Sequence, residues 1–402
     1  MTNEKHKMDF YSKDNLIEII DRTGEYRNNL AVKAFGRIFD NMAACYKLYW
    51  LEAIIELLLE NDRTTYSLTE IIDVMISNAW YTVREYHLNM GTVYGSTTRK
   101  NSLEEAVNDL ALISGLKNNA TQKQILEKLR LFKNDKKLLE DKGKLMTEVP
   151  FHFLSPFFDS DRRKELRKWH FDTSVNEINK RNSELELPYR FAQDEFGTPC
   201  IEMSQNWCQF FIDNNAAILG WINYEKIQYL QKRNSTVGGI IYKLAPYKES
   251  KRELQNVRKL WNTVVECTAV FDIYTGKEIV SDKYDIDHFI PWSYISNNEL
   301  WNLIPADHIT NIQKGNCLPD WQRYFRDFGH NQYLLSRQIY ENSITFKLFN
   351  DCLEKNLQSY WGKEQLYVQG ISEPDFLMIL ENNLKMHYEA AKKQGFEIWI
   401  KS

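Results

Sequence analysis

Apolar positions return every three to four residues through most of this chain, the period of helices with one buried face. The pattern runs over residues 34–59, 68–80, 103–112 and 125–131. It resumes at 205–214, 224–231 and 249–265, and closes the chain at 332–340, 344–357 and 373–394. Ser67 stands three residues before Glu70, a capping-box start. Gly395 is placed to stop the last helix. Residues 150–158 are aromatic and twice interrupted by proline, which suits a connector packed on both neighbours. A basic helix over 162–168 follows, then loops or short strands around 186–199. After Gly238-Gly239, residues 240–242 read as a short extended stretch.

Residues 268–319 break this rhythm. Residues 269–274 are β-branched and aromatic and lead into the turn Thr275-Gly276. A second strand is predicted over 284–290, ended by Pro291. A loop runs to about Pro305, and Asp307 is placed to cap a helix that starts near His308. The order is strand, strand, loop, helix. The expected fold is mainly α with a small α+β insert. Its expected regions are a helical domain (1–148), a mixed connector and helical region (149–248), the insert-bearing domain (249–335) and a C-terminal helical buttress (336–402).

Composition adds three exclusions. With 43% hydrophobic and 26% charged residues, and only 16 Gly and 9 Pro, the chain is neither disordered nor low in complexity. Its net charge of −4 excludes a generically basic nucleic-acid coat, so nucleic-acid binding has to be local or helped by a metal or a partner. Residues 123–144 do carry eight Lys/Arg against four Asp/Glu. That run reads as a solvated helix face or, alternatively, as a phosphate-contacting surface. Residues 1–13 are polar, and 46–59 is interrupted by Lys47, Glu52 and Glu56, so neither a secretory signal nor a membrane span is expected. The six cysteines form no CxxC pair, which points to reduced thiols and a cytoplasmic setting.

The polar residues of the insert suggest chemistry. Asp287-His288 falls at a strand end, Asn302 lies fourteen residues on, and Asn311 and Lys314 share one face of the helix. A histidine is a base at neutral pH. Asp287 and Asn311 offer the hard oxygens that Mg²⁺ prefers, and so small a ligand set leaves positions for water and a substrate phosphate. Taken singly, each residue reads as a cap, a salt bridge or an exposed polar side chain; the spacing is what joins them. In an ideal strand Asp287 and His288 face opposite ways, so the strand has to end or twist there. His308 is a rival ligand, and Asp285 is a candidate supporting carboxylate.

The run DIDHFIPWS…WNLIPADHITNIQKGN, within about residues 267–319, resembles the HNH endonuclease motif, or ββα-metal (His-Me) finger. It is similar to the HNH domains of RNA-guided CRISPR effector nucleases and of bacterial restriction and phage-defence proteins. No arginine-rich bridge or second nuclease domain accompanies it, so an RNA-guided enzyme is not expected. The resemblance implies the following roles. His288 is the general base. Asp287 and Asn311 hold one divalent metal, Mg²⁺ or Mn²⁺. Asn302 braces the loop that orients His288, and Lys314 contacts a phosphate oxygen. The substrate is DNA, expected double-stranded, cut to a 5′-phosphate and a 3′-hydroxyl. One finger makes one cut per visit, so a double-strand break needs an oligomer or two visits. Asp272 stands where many such proteins have a zinc-binding cysteine, so flanking helices rather than structural zinc are expected to hold the finger. A large helical body attached to one finger fits an antiviral defence effector restrained by a trigger, and an ATPase or sensor subunit suits that logic. Two alternatives stay open: an RNase of toxin type, and a catalytically silent assembly or binding module.

Overall fold

Amphipathic segments capped by short polar side chains build most of the chain. The computed structural model describes residues 26, 30–40, 42–91, 100–158, 171–244 and 254–401. The polar start at 1–13 and the basic stretch at 162–168 lie outside them. The fold is mainly α with small β elements, in two units: residues 1–84 with 89–234, and residues 235–402 with 85–88. No helix among the described residues is long and apolar enough to cross a membrane.

In the first unit, helices α1 (Tyr46–Glu60) and α2 (Leu68–Trp80) carry the apolar faces. Trp50, Leu51 and Ile54 of α1 and Ile71, Met75 and Trp80 of α2 are buried. Ser67 Oγ accepts from Glu70 N at 3.0 Å. The Glu70 carboxylate turns to Arg63 at 2.6 Å. A reciprocal capping box forms instead at Thr121 and Gln124, opening α4 (Gln122–Leu131) after α3 (Ser102–Ser114). Helix α5 (Lys136–Leu154) runs through Pro150, which corrects the expected connector. Proline forfeits one helical hydrogen bond, but the Pro150 carbonyl accepts from the buried Tyr189 hydroxyl at 2.7 Å. The basic run is partly consumed by ion pairs: Lys137 with Asp109, buried Lys142 with Asp73, and Lys144 with Asp141. A three-stranded antiparallel sheet forms from Thr65–Ser67, Tyr189–Gln193 and Pro199–Met203, the last in the centre. Helices Gln205–Asp213 and Asn215–Arg233 complete the unit.

The second unit has one hydrophobic core shared by the insert and the helices around it. Residues 240–242 are not extended; Ile240–Lys243 is a 3₁₀ turn whose lysine is buried and donates to the carbonyls of Ser293 and Tyr294. Helix Gln255–Cys267 presents Val257, Leu260, Trp261 and Val264 to the core. The expected strand at 269–274 is absent as a strand, apart from an isolated bridge between Phe271 and Glu278. The reason is Asp272, fully buried, whose carboxylate accepts from Tyr274 N (3.1 Å) and Thr275 Oγ1 (2.6 Å). Aspartate that captures nearby backbone favours a turn over a ladder. Within the insert, Asp285–His288 and Leu303–Ala306 pair antiparallel, and Leu318–Pro319 pairs parallel with Ile398–Trp399. Leu303–Ala306 was expected as loop because Pro305 interrupts its apolar run; every residue of it is buried.

The third helical group is longer than its period suggests. Trp321–Glu341 is one helix, and its Gln332 is fully buried and donates to Leu300 O (3.1 Å) and Leu303 O (2.8 Å). Tyr367 donates to the same glutamine at 2.8 Å. Phe289 stacks on Phe328 at 4.2 Å, and Trp261 Nε1 donates to Leu303 O at 3.2 Å. Helices Ser343–Asn356 and Glu373–Lys393 close the unit. A Cβ at Gly329 would sit 2.4 Å from Leu377 Cδ2, so glycine lets the last helix approach. The insert is thus clasped by helices on the same chain.

Candidate active site

Strand alternation places Asp285 and Asp287 on one face, while Ile286 enters the core. The ladder ends at His288, opposite Leu303. Beyond it Asn302 replaces the ladder with its own atoms. Its backbone carbonyl accepts from Phe289 N at 2.9 Å. Its side-chain Oδ1 accepts from Ile290 N and its Nδ2 donates to Ile290 O, both at 2.8 Å. A fully buried amide that satisfies both polar groups of one residue fixes the backbone just before Pro291. The strand end gives His288 the freedom to turn. Asp287 and His288 line one cleft of about 150 Å³ with Asn311, Lys314, Pro291 and Trp292.

Asp287 is 3% exposed, and both carboxylate oxygens are held. Oδ2 accepts from the Tyr274 hydroxyl at 2.6 Å, and Oδ1 accepts from Lys314 Nζ at 2.9 Å. Lys314 also donates to the His288 carbonyl at 2.8 Å and is 1% exposed. Its ammonium is therefore engaged inside the finger. Burial, reinforced by the Asp287 charge, pushes the Tyr274 phenol well above its usual range, so it stays a donor.

Asp307 caps helix His308–Lys314 by accepting from Thr310 N and Oγ1, both at 2.9 Å. The Thr310 backbone N–H holds that carboxyl below the usual carboxylate range. Asn311 Nδ2 donates to Asp285 Oδ2 at 3.3 Å, and His308 Nδ1 lies 2.8 Å from the same oxygen. An ionised carboxylate only accepts, so the Asn311 amide nitrogen faces Asp285, and among the described residues no donor is seen at its Oδ1. His308, mostly exposed, turns to Asp285 rather than to the cleft. His288 Nε2 lies 3.1 Å from Asn298 Oδ1.

The donor set fits a hard divalent cation. Among the described residues no group of three His, Cys, Asp or Glu converges as a metal cage. What lines the cleft is one carboxylate and one amide side chain beside a histidine. Among the described residues, Asp287 uses two of about four lone-pair positions and Asn311 Oδ1 none. Mg²⁺ typically takes one or two carboxylates and keeps several waters. Tyr274 and Asn298 carry no sequence signal of their own; each reaches the site from an irregular segment.

Residues 272–320 match the family model described as HNH endonuclease. No curated protein and no solved structure is similar enough to this chain to match it.

Proposed function

From the premise that residues 272–320 form an HNH-family domain, we propose that the chain is an endonuclease that hydrolyses DNA, double-stranded by preference, with one divalent cation, Mg²⁺ or Mn²⁺. One observation carries the reading: Asp287, His288 and Asn311 line a single cleft on a strand, turn and helix frame. His288 takes a proton from the attacking water, the water oxygen bonds to phosphorus, the P–O3′ bond breaks, and the leaving O3′ takes a proton from solvent water. The products are a 5′-phosphate and a 3′-hydroxyl. Asp287 and Asn311 would hold the cation. Bound there, it supplies charge stabilisation to the phosphate and the leaving oxygen. Asn302 keeps the backbone after His288 in place. Lys314 holds Asp287 and the His288 carbonyl in register.

The large helical unit is the part proposed to restrain or target the finger, in a cytoplasmic defence effector answering to a trigger or to an ATPase or sensor partner. The test is conversion of supercoiled plasmid to nicked or linear form by the full chain with Mg²⁺ or Mn²⁺, beside His288→Ala. Cleavage lost in the variant supports the reading. Cleavage of equal rate in both overturns it.

A further inference from the structure

The strand fixes the backbone of Asp287 but leaves its carboxylate free to turn about the side-chain bonds. Two donors remove that freedom. Lys314 Nζ holds Oδ1 at 2.9 Å, and the Tyr274 hydroxyl holds Oδ2 at 2.6 Å. Lys314 belongs to the helix that also carries Asn311, so it is part of the finger's own frame. Tyr274 comes from the irregular stretch before the strand, and that stretch is built to keep it in place.

The residue is fixed at both ends. Its backbone N–H donates to Asp272 Oδ1 at 3.1 Å, and Asp272 is fully buried. Asp272 closes the turn through its own backbone: its N–H donates to Lys277 O and its carbonyl accepts from Gly276 N, both at 2.8 Å. At the other end the Tyr274 ring packs edge-to-face on Tyr324 and Trp399, with centroids 5.2 and 5.4 Å away. Trp399 is held opposite Pro319 in the parallel pair, and the Tyr324 hydroxyl accepts from Lys401 N at 3.0 Å. A turn on one side and the C-terminal strand on the other therefore aim one hydroxyl at Asp287. Asp287 lines the cleft and Tyr274 does not, so the hydroxyl reaches the carboxylate from the protein side.

We infer that Tyr274 is a positioning residue for Asp287: its hydroxyl fixes the carboxylate in the orientation that takes the divalent cation. The inference rests on the proposed nuclease reading, which makes Asp287 a ligand. Tyr274→Phe removes the hydroxyl alone and keeps the ring against Tyr324 and Trp399. The probe is Mn²⁺, added to the full chain and read from the electron paramagnetic resonance of the free ion. Its dissociation constant is expected to rise roughly 10- to 100-fold in Tyr274→Phe, the usual effect of losing a group that orients a metal ligand. The Mn²⁺ concentration for half-maximal plasmid cleavage should rise by the same factor, and saturating Mn²⁺ should return the rate to near wild type. Asp287→Ala provides the reference for a lost ligand. An unchanged or tighter constant in Tyr274→Phe, beside a weakened one in Asp287→Ala, overturns the inference. So does a deficit that saturating Mn²⁺ leaves in place, because a finger that is merely loosened is slow at every metal concentration. Mn²⁺ binding that is absent from the wild type, or equal in Asp287→Ala, sinks the metal-dependent nuclease reading and takes this inference with it. The Asp287→Ala arm thus separates the two failures.

Discussion

Lys314 Nζ donates to Asp287 Oδ1 at 2.9 Å, and both side chains are almost completely buried. The carboxylate that would ligate a cation thus already has a counter-charge of its own. Removing one partner of a buried pair strands the other, at a cost of roughly 3–5 kcal/mol. Lys314→Met should lower the urea midpoint of unfolding by that order. It should also abolish cleavage, because the His288 carbonyl loses its donor as well. A variant with wild-type stability would show that the pair contributes nothing to the fold.

Metal removal should then act on chemistry rather than on folding. EDTA is expected to stop plasmid cleavage, and excess Mg²⁺ to restore it. The thermal midpoint should stay within about 2 °C, no more than roughly 1 kcal/mol would move a unit of this size. A large drop in the midpoint on chelation would mean that Lys314 does not balance Asp287.

Lys243 gives a pH signature. Its ammonium is buried on the carbonyls of Ser293 and Tyr294, and burial lowers its pKa to about 7. The unfolded lysine keeps a pKa near the ordinary 10.5. Between these values the unfolded chain binds more protons, so stability should rise as pH climbs from about 7 towards 10. The expected gain across that window is roughly 4 kcal/mol. Urea titrations across that window should show the slope, flattened in Lys243→Met. An equal slope in both proteins would assign it to another group.

Glu299 links the loop after His288 to the C-terminal helices. Truncation to alanine strands two backbone N–H groups and takes the acceptor from the Ser359 hydroxyl, while Trp301 Nε1 keeps Ser359 Oγ at 3.0 Å. Buried donors left unpaired cost roughly 1–3 kcal/mol each, so Glu299→Ala should destabilise this unit by at least 3 kcal/mol. Glu299→Gln should recover part of that through its remaining carbonyl oxygen. Hydrogen exchange at Gln358 and Ser359 would report the loosening directly; unchanged protection there would refute the clamp.

Helices are legible wherever one face is apolar for three turns or more, as in the segments around Trp50 and Trp80, because burial enforces the period. The insert is harder to read. The stretch around Phe271 has strand composition, but Asp272 takes the hydrogen bonds a ladder would need. Leu303–Ala306 is a true strand concealed by Pro305, which finds a place opposite Ile286 because antiparallel pairing does not use every N–H. The gathering of Asp287, His288 and Asn311 on one cleft follows from a spacing visible in the chain. Tyr274 and Asn298 reach Asp287 and His288 across 13 and 10 residues from segments outside the strands and helices, and no period announces such contacts.

The bracket formed by Asn356, Gln358 and Ser359 behind the His288 loop also has a meaning in time. A ribosome releases His288 well before it releases those three residues. A nascent chain, or one broken before residue 356, therefore carries the histidine and its loop without the groups that bracket Asn298 and Glu299. Order of synthesis thus delivers the loop first and the residues that bracket Asn298 and Glu299 some sixty positions later.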